Sequence, residues 1–125
     1  MKHFHVLLKV PAVPSVESKK IPLLADFLIV YSTPPGYYAF RNIFDGSYLI
    51  RFLVEELEKN YKMYKINAEN KFDFLSLLTN VNSRICYEFE SKSSRPEFDG
   101  KKQTICFTSM LTRQIYLIPK DWVYY

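Results

Sequence analysis

The order of apolar and polar positions predicts a strand near the start of the chain and two helices after it. Residues 25–31 form an uninterrupted β-prone run, which is typical of a central strand of a parallel sheet that is buried on both faces. The run stops at residues 32–36, STPPG, which predict a turn. An unusually aromatic loop follows through residue 42.

The first helix is predicted to begin near Asp45 or Ser47, either of which is able to cap free N–H groups, and to end at Asn60. Its apolar positions follow the i, i+3, i+4, i+7 spacing of one helix face. The members of this stripe are Ile50, Leu53, Val54 and Leu57. On the solvated face, Glu55 and Lys59 have the spacing and order of a favourable ion pair.

A second helix is predicted over residues 70–91, because a single apolar face persists through this stretch. That face consists of Phe74, Leu78, Val81, Ile85 and Phe89. A polar loop over residues 92–100 follows and carries one aromatic residue, Phe98. Two further β-prone runs, over residues 105–110 and 115–118, predict strands near the C-terminus.

The predicted order of strand, helix, helix, strand, strand is only part of an α/β sandwich. Residues 1–20 are interpreted as an N-terminal tether or intersubunit linker with a short edge strand at residues 4–10, and residues 21–125 as one domain. The tail at residues 121–125 is too apolar to remain exposed. A sheet of two or three strands with two apolar faces is a poor fold on its own, so we expect a partner to complete it.

Composition narrows the class of protein. Apolar residues make up 48% and charged residues 24% of the 125 residues, as in soluble globular domains. No apolar run approaches the roughly 18 residues of a membrane span, and the net charge of +4 is scattered, so neither a membrane nor a nucleic acid is an expected partner. No signal peptide is legible, and two Cys are too few for a disulfide scaffold, which favours a reducing, cytoplasmic location.

Catalytic and metal-binding groups are sparse. The only histidines, His3 and His5, lie in the tether, and Cys86 and Cys106 are interpreted as small buried core residues. The chain has three Gly and no phosphate-binding loop, no paired carboxylates and no metal-ligand spacing. We therefore expect no catalytic residue, no cofactor and no metal within this chain.

The aromatic loop is the one candidate binding site. Tyr37, Tyr38 and Phe40 surround Arg41 directly after the predicted central strand. Ligands of open α/β sheets bind at the carboxyl ends of strands, where an Arg holds a carboxylate through its fork of donors. On physical grounds alone, a carboxylate site and a surface arginine beside packed aromatics are equally supported.

The same residues resemble the caspase family. Residues 25–42, ADFLIVYSTPPGYYAFRN, look like the start of the caspase small subunit, and DGSYLI at residues 45–50 looks like the opening of the helix that follows. LLTNVN at residues 77–82 and KKQ followed by SMLT in residues 101–112 resemble its second helix and last strand. The resemblance covers roughly residues 20–118 in unbroken order.

This resemblance implies an α/β fold, a partial caspase-like sandwich that completes its sheet with a large subunit and pairs with a second heterodimer around a two-fold axis. Caspases are cysteine endopeptidases that cut after aspartate, and their catalytic Cys and His belong to the large subunit. This chain has no matching nucleophile motif. It is therefore expected to be a pocket-forming subunit that acts on peptides with Asp at P1, in apoptosis-type proteolysis.

The resemblance also implies roles for individual residues. Arg41 matches the arginine that binds the P1 aspartate, and the substrate is expected to lie extended against the backbone from Ala39 to Arg41. The expected pocket residues are Tyr38, Phe40 and Phe98 at P2, and Asn42 and Tyr48 at P4, with Phe40 and Tyr48 standing where many members have Trp. The expected dimer-interface residues are Ile105, Phe107, Ser109 and Met110. Lys92 stands where executioner-type members have an aromatic, and we expect it to favour an acidic P4 side chain by charge pairing.

A second interpretation is a non-catalytic, caspase-like regulator that binds a true caspase through the strand at residues 105–110. The match of Arg41, Tyr38 and Phe98 to an intact P1 and P2 pocket favours the active subunit. A start at Met1 without a large subunit favours the regulator or a truncated homologue.

Overall fold

The computed structural model describes residues 20–70 and 72–117. The predicted tether with its edge strand at residues 4–10 and the apolar tail at residues 121–125 lie outside these ranges. The elements are β1 (Leu28–Tyr31), β2 (Arg41–Asn42), β3 (Gly46–Ser47), α1 (Tyr48–Ile66), α2 (Phe74–Glu88), a 3-10 turn (Pro96–Phe98) and β4 (Cys106–Ser109). Neither helix in the described ranges is long and apolar enough to cross a membrane.

Within residues 20–70 and 72–117, helices cover one face of the main sheet and leave the other uncovered. Strand β1 pairs antiparallel with β4, and Val30 lies opposite Phe107, both packed against the core. The side chains of Ile29 and Tyr31, which alternate with them, are exposed. Within the described residues β1 therefore alternates between a covered and an exposed face, and its neighbour β4 is antiparallel. A parallel neighbour at the other edge and burial of the second face stay predictions.

Helix α1 buries a stripe shifted by one residue from the predicted one. Of the predicted apolar stripe, Leu53 and Leu57 are partly buried and pack against the core, whereas Ile50 and Val54 are exposed. The buried residues are Leu49, Phe52, Glu56 and Asn60. Asn60 lies on this buried face rather than at the helix end, and α1 continues to Ile66. A pattern that counts only apolar residues misses a face on which two of the buried side chains are polar.

Helix α2 confirms the predicted apolar face but begins and ends within the predicted bounds. Leu78, Val81 and Ile85 are fully buried. Asp73 caps the helix, because its carboxylate accepts a hydrogen bond from the Ser76 N–H at 3.3 Å. The core cluster between the helices and the sheet consists of Leu49, Phe52, Leu77, Val81, Ile85 and Ile105.

Arg84 on α2 joins the two helices through charge. Its guanidinium lies 2.8 Å from Glu55, 3.4 Å from the buried Glu56 and 2.9 Å from Glu88, and sits 4.4 Å from the ring centroid of Phe52. Hydrogen bonding to this group lowers the pKa of Glu88. The predicted Glu55–Lys59 pair is replaced by two others. Glu55 bonds Arg84, and it also bonds Arg51, one turn earlier on α1, at 3.0 Å.

Polar side chains fasten the strands to the rest of the fold. Asn82 Oδ1 accepts hydrogen bonds from the Ile105 N–H and the Thr104 hydroxyl, each at 2.9 Å, and so ties α2 to the chain entering β4. Asp26 Oδ1 accepts from the N–H and hydroxyl of Thr112 at 2.9 and 2.7 Å, which lowers the pKa of this carboxyl. The predicted strand at residues 115–118 is reduced to one bridge, at Tyr116 opposite Asp73, with residue 118 outside the described ranges.

Candidate functional site

The aromatic loop leads into a small hairpin formed by β2 and β3. The Tyr37 N–H donates to the Pro34 carbonyl at 3.3 Å, and Gly36 adopts a φ of 83°, a conformation that favours glycine in such a turn. Arg41 then pairs with Ser47 across the hairpin. The chain reverses through residues 43–45, so Arg41 lies on a short strand at the end of the loop.

A buried glutamine fixes this loop from another part of the chain. The side chain of Gln103 is 4% exposed; its Oε1 accepts the Phe40 N–H at 2.9 Å, and its Nε2 donates to the Ser32 carbonyl at 2.8 Å. One side chain therefore fixes both the end of β1 and the segment before Arg41. Sequence reasoning did not single out this role, and its only signal is a polar residue just before a strand.

The predicted aromatic residues meet in two groups. Tyr38 and Phe98 make an edge-to-face contact, with ring centroids 5.4 Å apart at 89°. Phe40 and Tyr48 do not stack on each other but both contact Phe89, at 5.4 and 4.3 Å. Phe89 is buried and was predicted only as the last core residue of the second helix. The structure thus brings the predicted P2 residues Tyr38 and Phe98 into contact across 60 positions of sequence.

Ser91 holds the loop that carries Phe98, and the sequence patterns did not indicate this role either. Its buried hydroxyl donates to the Phe98 carbonyl and accepts from the Lys101 N–H, each at 2.7 Å. The backbone of Ser91 bonds the far end of the same loop, accepting from the Gly100 N–H at 2.9 Å. This arrangement closes the loop at its base and fixes the place of the aromatic ring.

The polar residues of the candidate site differ in exposure. Arg41 is exposed and makes no ion pair within the described residues, and Ala39 beside it is exposed as well. Asn42 is half-buried, and its Oδ1 accepts the Phe44 N–H at 2.7 Å. Lys92 is exposed, and its predicted pairing with an acidic P4 side chain stays a prediction.

The predicted dimer-interface residues differ in their surroundings. Ile105 belongs to the buried core, and Phe107 is partly buried and packs against that core. Ser109 is exposed and Met110 half-buried. An interface here would use the backbone edge of β4 together with these two residues, and the assignment stays a prediction.

The cysteines are less buried than predicted. Cys86 and Cys106 are both free thiols and both only half-buried. Cys86 lies one turn after Asn82, and its thiol donates to the Asn82 Oδ1 at 3.5 Å. The two histidines of the tether, His3 and His5, lie outside the described residues.

Comparison with known proteins assigns this fold to a family. The family described as "Caspase domain" matches residues 9–116, so the chain belongs to the caspase family. It is 48% identical to Caspase-1 of Drosophila melanogaster over 79% of its length and 46% identical to mouse Caspase-3 over 78%. The crystal structure of caspase-1 from Spodoptera frugiperda superposes on 82% of the chain, with a TM-score of 0.67 and 38% identity.

The chain is short beside these relatives. It covers 28% of the fly protein, 32% of the mouse protein and 38% of the Spodoptera structure. The family and the partial α/β caspase-like fold therefore hold for this chain, while the activity of a whole caspase involves more sequence than is present here.

Proposed function

We propose that this chain is the small subunit of an aspartate-specific cysteine endopeptidase, supplying the substrate pocket and a dimer interface in apoptosis-type proteolysis in the cytoplasm. The observation that carries the proposal is the exposed Arg41 guanidinium, which has no ion-pair partner within the described residues. A guanidinium binds a carboxylate through two parallel hydrogen bonds. The P1 aspartate of a peptide supplies such a carboxylate.

The two hydrogen bonds of the Gln103 side chain, to Phe40 and Ser32, support an edge-strand mode of substrate binding. Successive amides of an extended segment point to opposite sides, so an inward Phe40 N–H directs the Arg41 amide outward. A peptide that lies along this segment gains main-chain hydrogen bonds in addition to the contact with the Arg41 side chain. The contacting rings of Tyr38 and Phe98 supply an apolar wall beside it for the P2 side chain.

The uncovered sheet supports the need for a large subunit. Strand β1 has one paired edge, toward β4, within the described residues, and its outward side chains Ile29 and Tyr31 are exposed. A partner that adds a strand and covers this face would bury apolar surface and satisfy backbone groups. We propose that this partner brings the catalytic Cys and His, and that the other edge of β4 meets a second heterodimer.

Reconstitution tests the proposed function. The chain is refolded with the large subunit of a caspase relative and assayed on fluorogenic peptides with Asp, Asn or Glu at P1. We expect cleavage after Asp only, and a fall of about a thousandfold in kcat/KM for Arg41→Ala, because a charge-assisted bidentate contact is lost. Arg95→Ala is the matched control, since Arg95 is also exposed and is carried by the neighbouring loop.

Two results would contradict the proposal. Equal cleavage after Asp and Asn would show that no carboxylate is being recognised. A stable complex without turnover would favour the regulatory interpretation, in which the chain binds a caspase without completing its site.

A further inference from the structure

A small cavity lies between helices α1 and α2, and Arg41 is not among the residues that line it. Its volume is about 100 Å³, and part of its lining is exposed to solvent. A closed apolar cavity of about 150 Å³ holds benzene, so this open cavity is suited to a single ring with one edge in solvent. The lining residues are Glu56, Lys59, Asn60 and Met63 from α1, with Phe72, Leu77 and Asn80 from α2 and the segment before it.

The side-chain amide of Asn60 has no partner in the part of the chain that the structure describes. Asn60 is only 8% exposed, yet its amide makes no hydrogen bond there. No fully enclosed side-chain N or O atom among the described residues lacks a partner, so the small exposure of this amide is toward the cavity that it lines. A nearly buried amide without a partner destabilises the fold unless a bound group satisfies it.

Glu56 provides a second acceptor one turn earlier on the same face of α1. It is 6% exposed, and one of its carboxylate oxygens, Oε1, accepts from the Arg84 guanidinium at 3.4 Å. Because Arg84 already compensates the charge, the cavity does not require a cation, while the lone pairs of the carboxylate still accept an N–H or O–H. Together with Asn60 Oδ1, this favours a neutral ligand that donates a hydrogen bond.

The rest of the cavity surface is apolar and belongs to helices. Leu77 is buried, while Met63 and Phe72 are exposed, and a thioether and a ring both pack well against an aromatic group. The backbone groups in the middle of a helix are bonded within that helix, so an extended peptide would gain no main-chain hydrogen bonds here. A free small molecule therefore suits the cavity better than a peptide strand.

We propose that this cavity binds a small neutral aromatic molecule that carries one O–H or N–H donor. Its ring packs against Met63 and Phe72, and its donor reaches the acceptors of Asn60 and Glu56. This site goes beyond the proposed function and does not depend on it.

The test compares phenol with toluene, which has nearly the same size but a methyl group in place of the hydroxyl. Both are titrated calorimetrically into the full chain and into its complex with a caspase large subunit, so the result does not depend on assembly. We expect phenol to bind about tenfold more tightly, because only phenol donates to the unpartnered acceptors. An apolar groove alone would favour the more hydrophobic toluene, and that order would overturn the proposal.

Asn60→Leu keeps a side chain of similar size and removes the amide. The preference for phenol is expected to fall to about onefold or below in this variant. Asn80→Leu is the matched control, because Asn80 lines the same cavity but is exposed, and the preference should persist there. An equal fall in both variants would overturn the role of Asn60.

A measurement on the unmodified protein does not depend on how the variants fold. With ¹⁵N-labelled asparagine, phenol is expected to shift the NMR signal of the Asn60 side-chain amide more than that of Asn80. No shift at Asn60 would overturn the proposal.

A competing peptide distinguishes a small molecule from a peptide side chain. The peptide has the sequence of residues 118–125, which includes one Trp and two Tyr as aromatic donors. We expect it to displace phenol no better than free phenol displaces itself. Displacement at a tenfold lower concentration would show that the cavity takes a peptide side chain and would overturn the assignment to a small molecule.

Discussion

The helical layer and the loops around Arg41 are held together in opposite ways. Helices α1 and α2 share an apolar core and a charged cluster centred on Arg84, so many contacts support each residue. The loops expose Arg41 and depend on two buried polar side chains, Gln103 from a distant part of the chain and Ser91 at the base of the Phe98 loop. The difference predicts that stability and substrate recognition respond to different substitutions.

The largest expected effect on stability comes from Arg84→Ala. This change leaves the buried Glu56 without its cation and removes the guanidinium from the Phe52 ring. We expect a loss of about 2 kcal/mol in the free energy of unfolding, below the full penalty for breaking a buried pair because Arg84 is partly exposed. Urea unfolding of the assembled complex measures it.

The same variant, Arg84→Ala, is expected to leave the selectivity for the P1 residue unchanged. The ratio of cleavage after Asp to cleavage after Asn is expected to stay unchanged in Arg84→Ala, because the partners that the structure gives Arg84 are Glu55, Glu56, Glu88 and Phe52, and Arg41 is not among them. A large change in this ratio would show that the helical layer also shapes the site.

The next largest effect is expected on catalytic activity, in the variant Gln103→Ala. The variant frees the Phe40 N–H and the Ser32 carbonyl, so the segment before Arg41 is no longer fixed. We expect a fall of about tenfold in kcat/KM, with a loss of about 1 kcal/mol in stability. Gln103→Glu keeps the oxygen that accepts from the Phe40 N–H and loses the N–H that donates to Ser32. An activity between those of the parent and the alanine variant would support this role of Gln103.

Ser91→Ala is expected to have a smaller effect. Loss of two hydrogen bonds at the base of the Phe98 loop should cost about 1 kcal/mol and weaken discrimination at P2 by about threefold. A panel of peptides that differ only at P2 measures this discrimination. Ser94→Ala, an exposed serine of the same loop, is the control, and an equal loss there would contradict the role of Ser91.

The smallest effect concerns pH. Hydrogen bonds from Thr112 lower the pKa of Asp26 below its ordinary value of 3.8, so the ionised form stabilises the folded state. That contribution is complete above the ordinary pKa and is lost as pH falls through the lowered one. Asp26→Asn should therefore be less stable than the parent at about pH 7, with the gap closing below about pH 4 in urea unfolding. A gap that is constant with pH would contradict this.

Local patterns predicted some elements and missed others for identifiable reasons. The apolar face of α2 follows from spacing alone, because all of its buried positions are apolar. The face of α1 does not, since Glu56 and Asn60 are buried on it. Antiparallel pairing of β1 was also missed, because a short apolar run carries no information on the direction of its neighbour.

The residues of the candidate site also divide into those that the sequence indicated and those that it did not. Arg41, Tyr38 and Phe98 were singled out from the residues and the family resemblance, and the structure brings the two rings together. Gln103 was not, because its role depends on hydrogen bonds to Phe40 and Ser32, which lie 63 and 71 positions away. Such pairings arise from tertiary structure and leave no periodic signal in the sequence.

The face of the β1–β4 sheet that the described residues leave uncovered would make the amount of this chain depend on the amount of its proposed partner. Copies made in excess of the proposed large subunit would present Ile29, Tyr31 and the edge of β1 that is unpaired within the described residues to chaperones, proteases and one another. The amount that persists in a folded state would then follow the scarcer component of the assembly. Overproduction of this chain alone would raise its turnover or its aggregation more than its functional level.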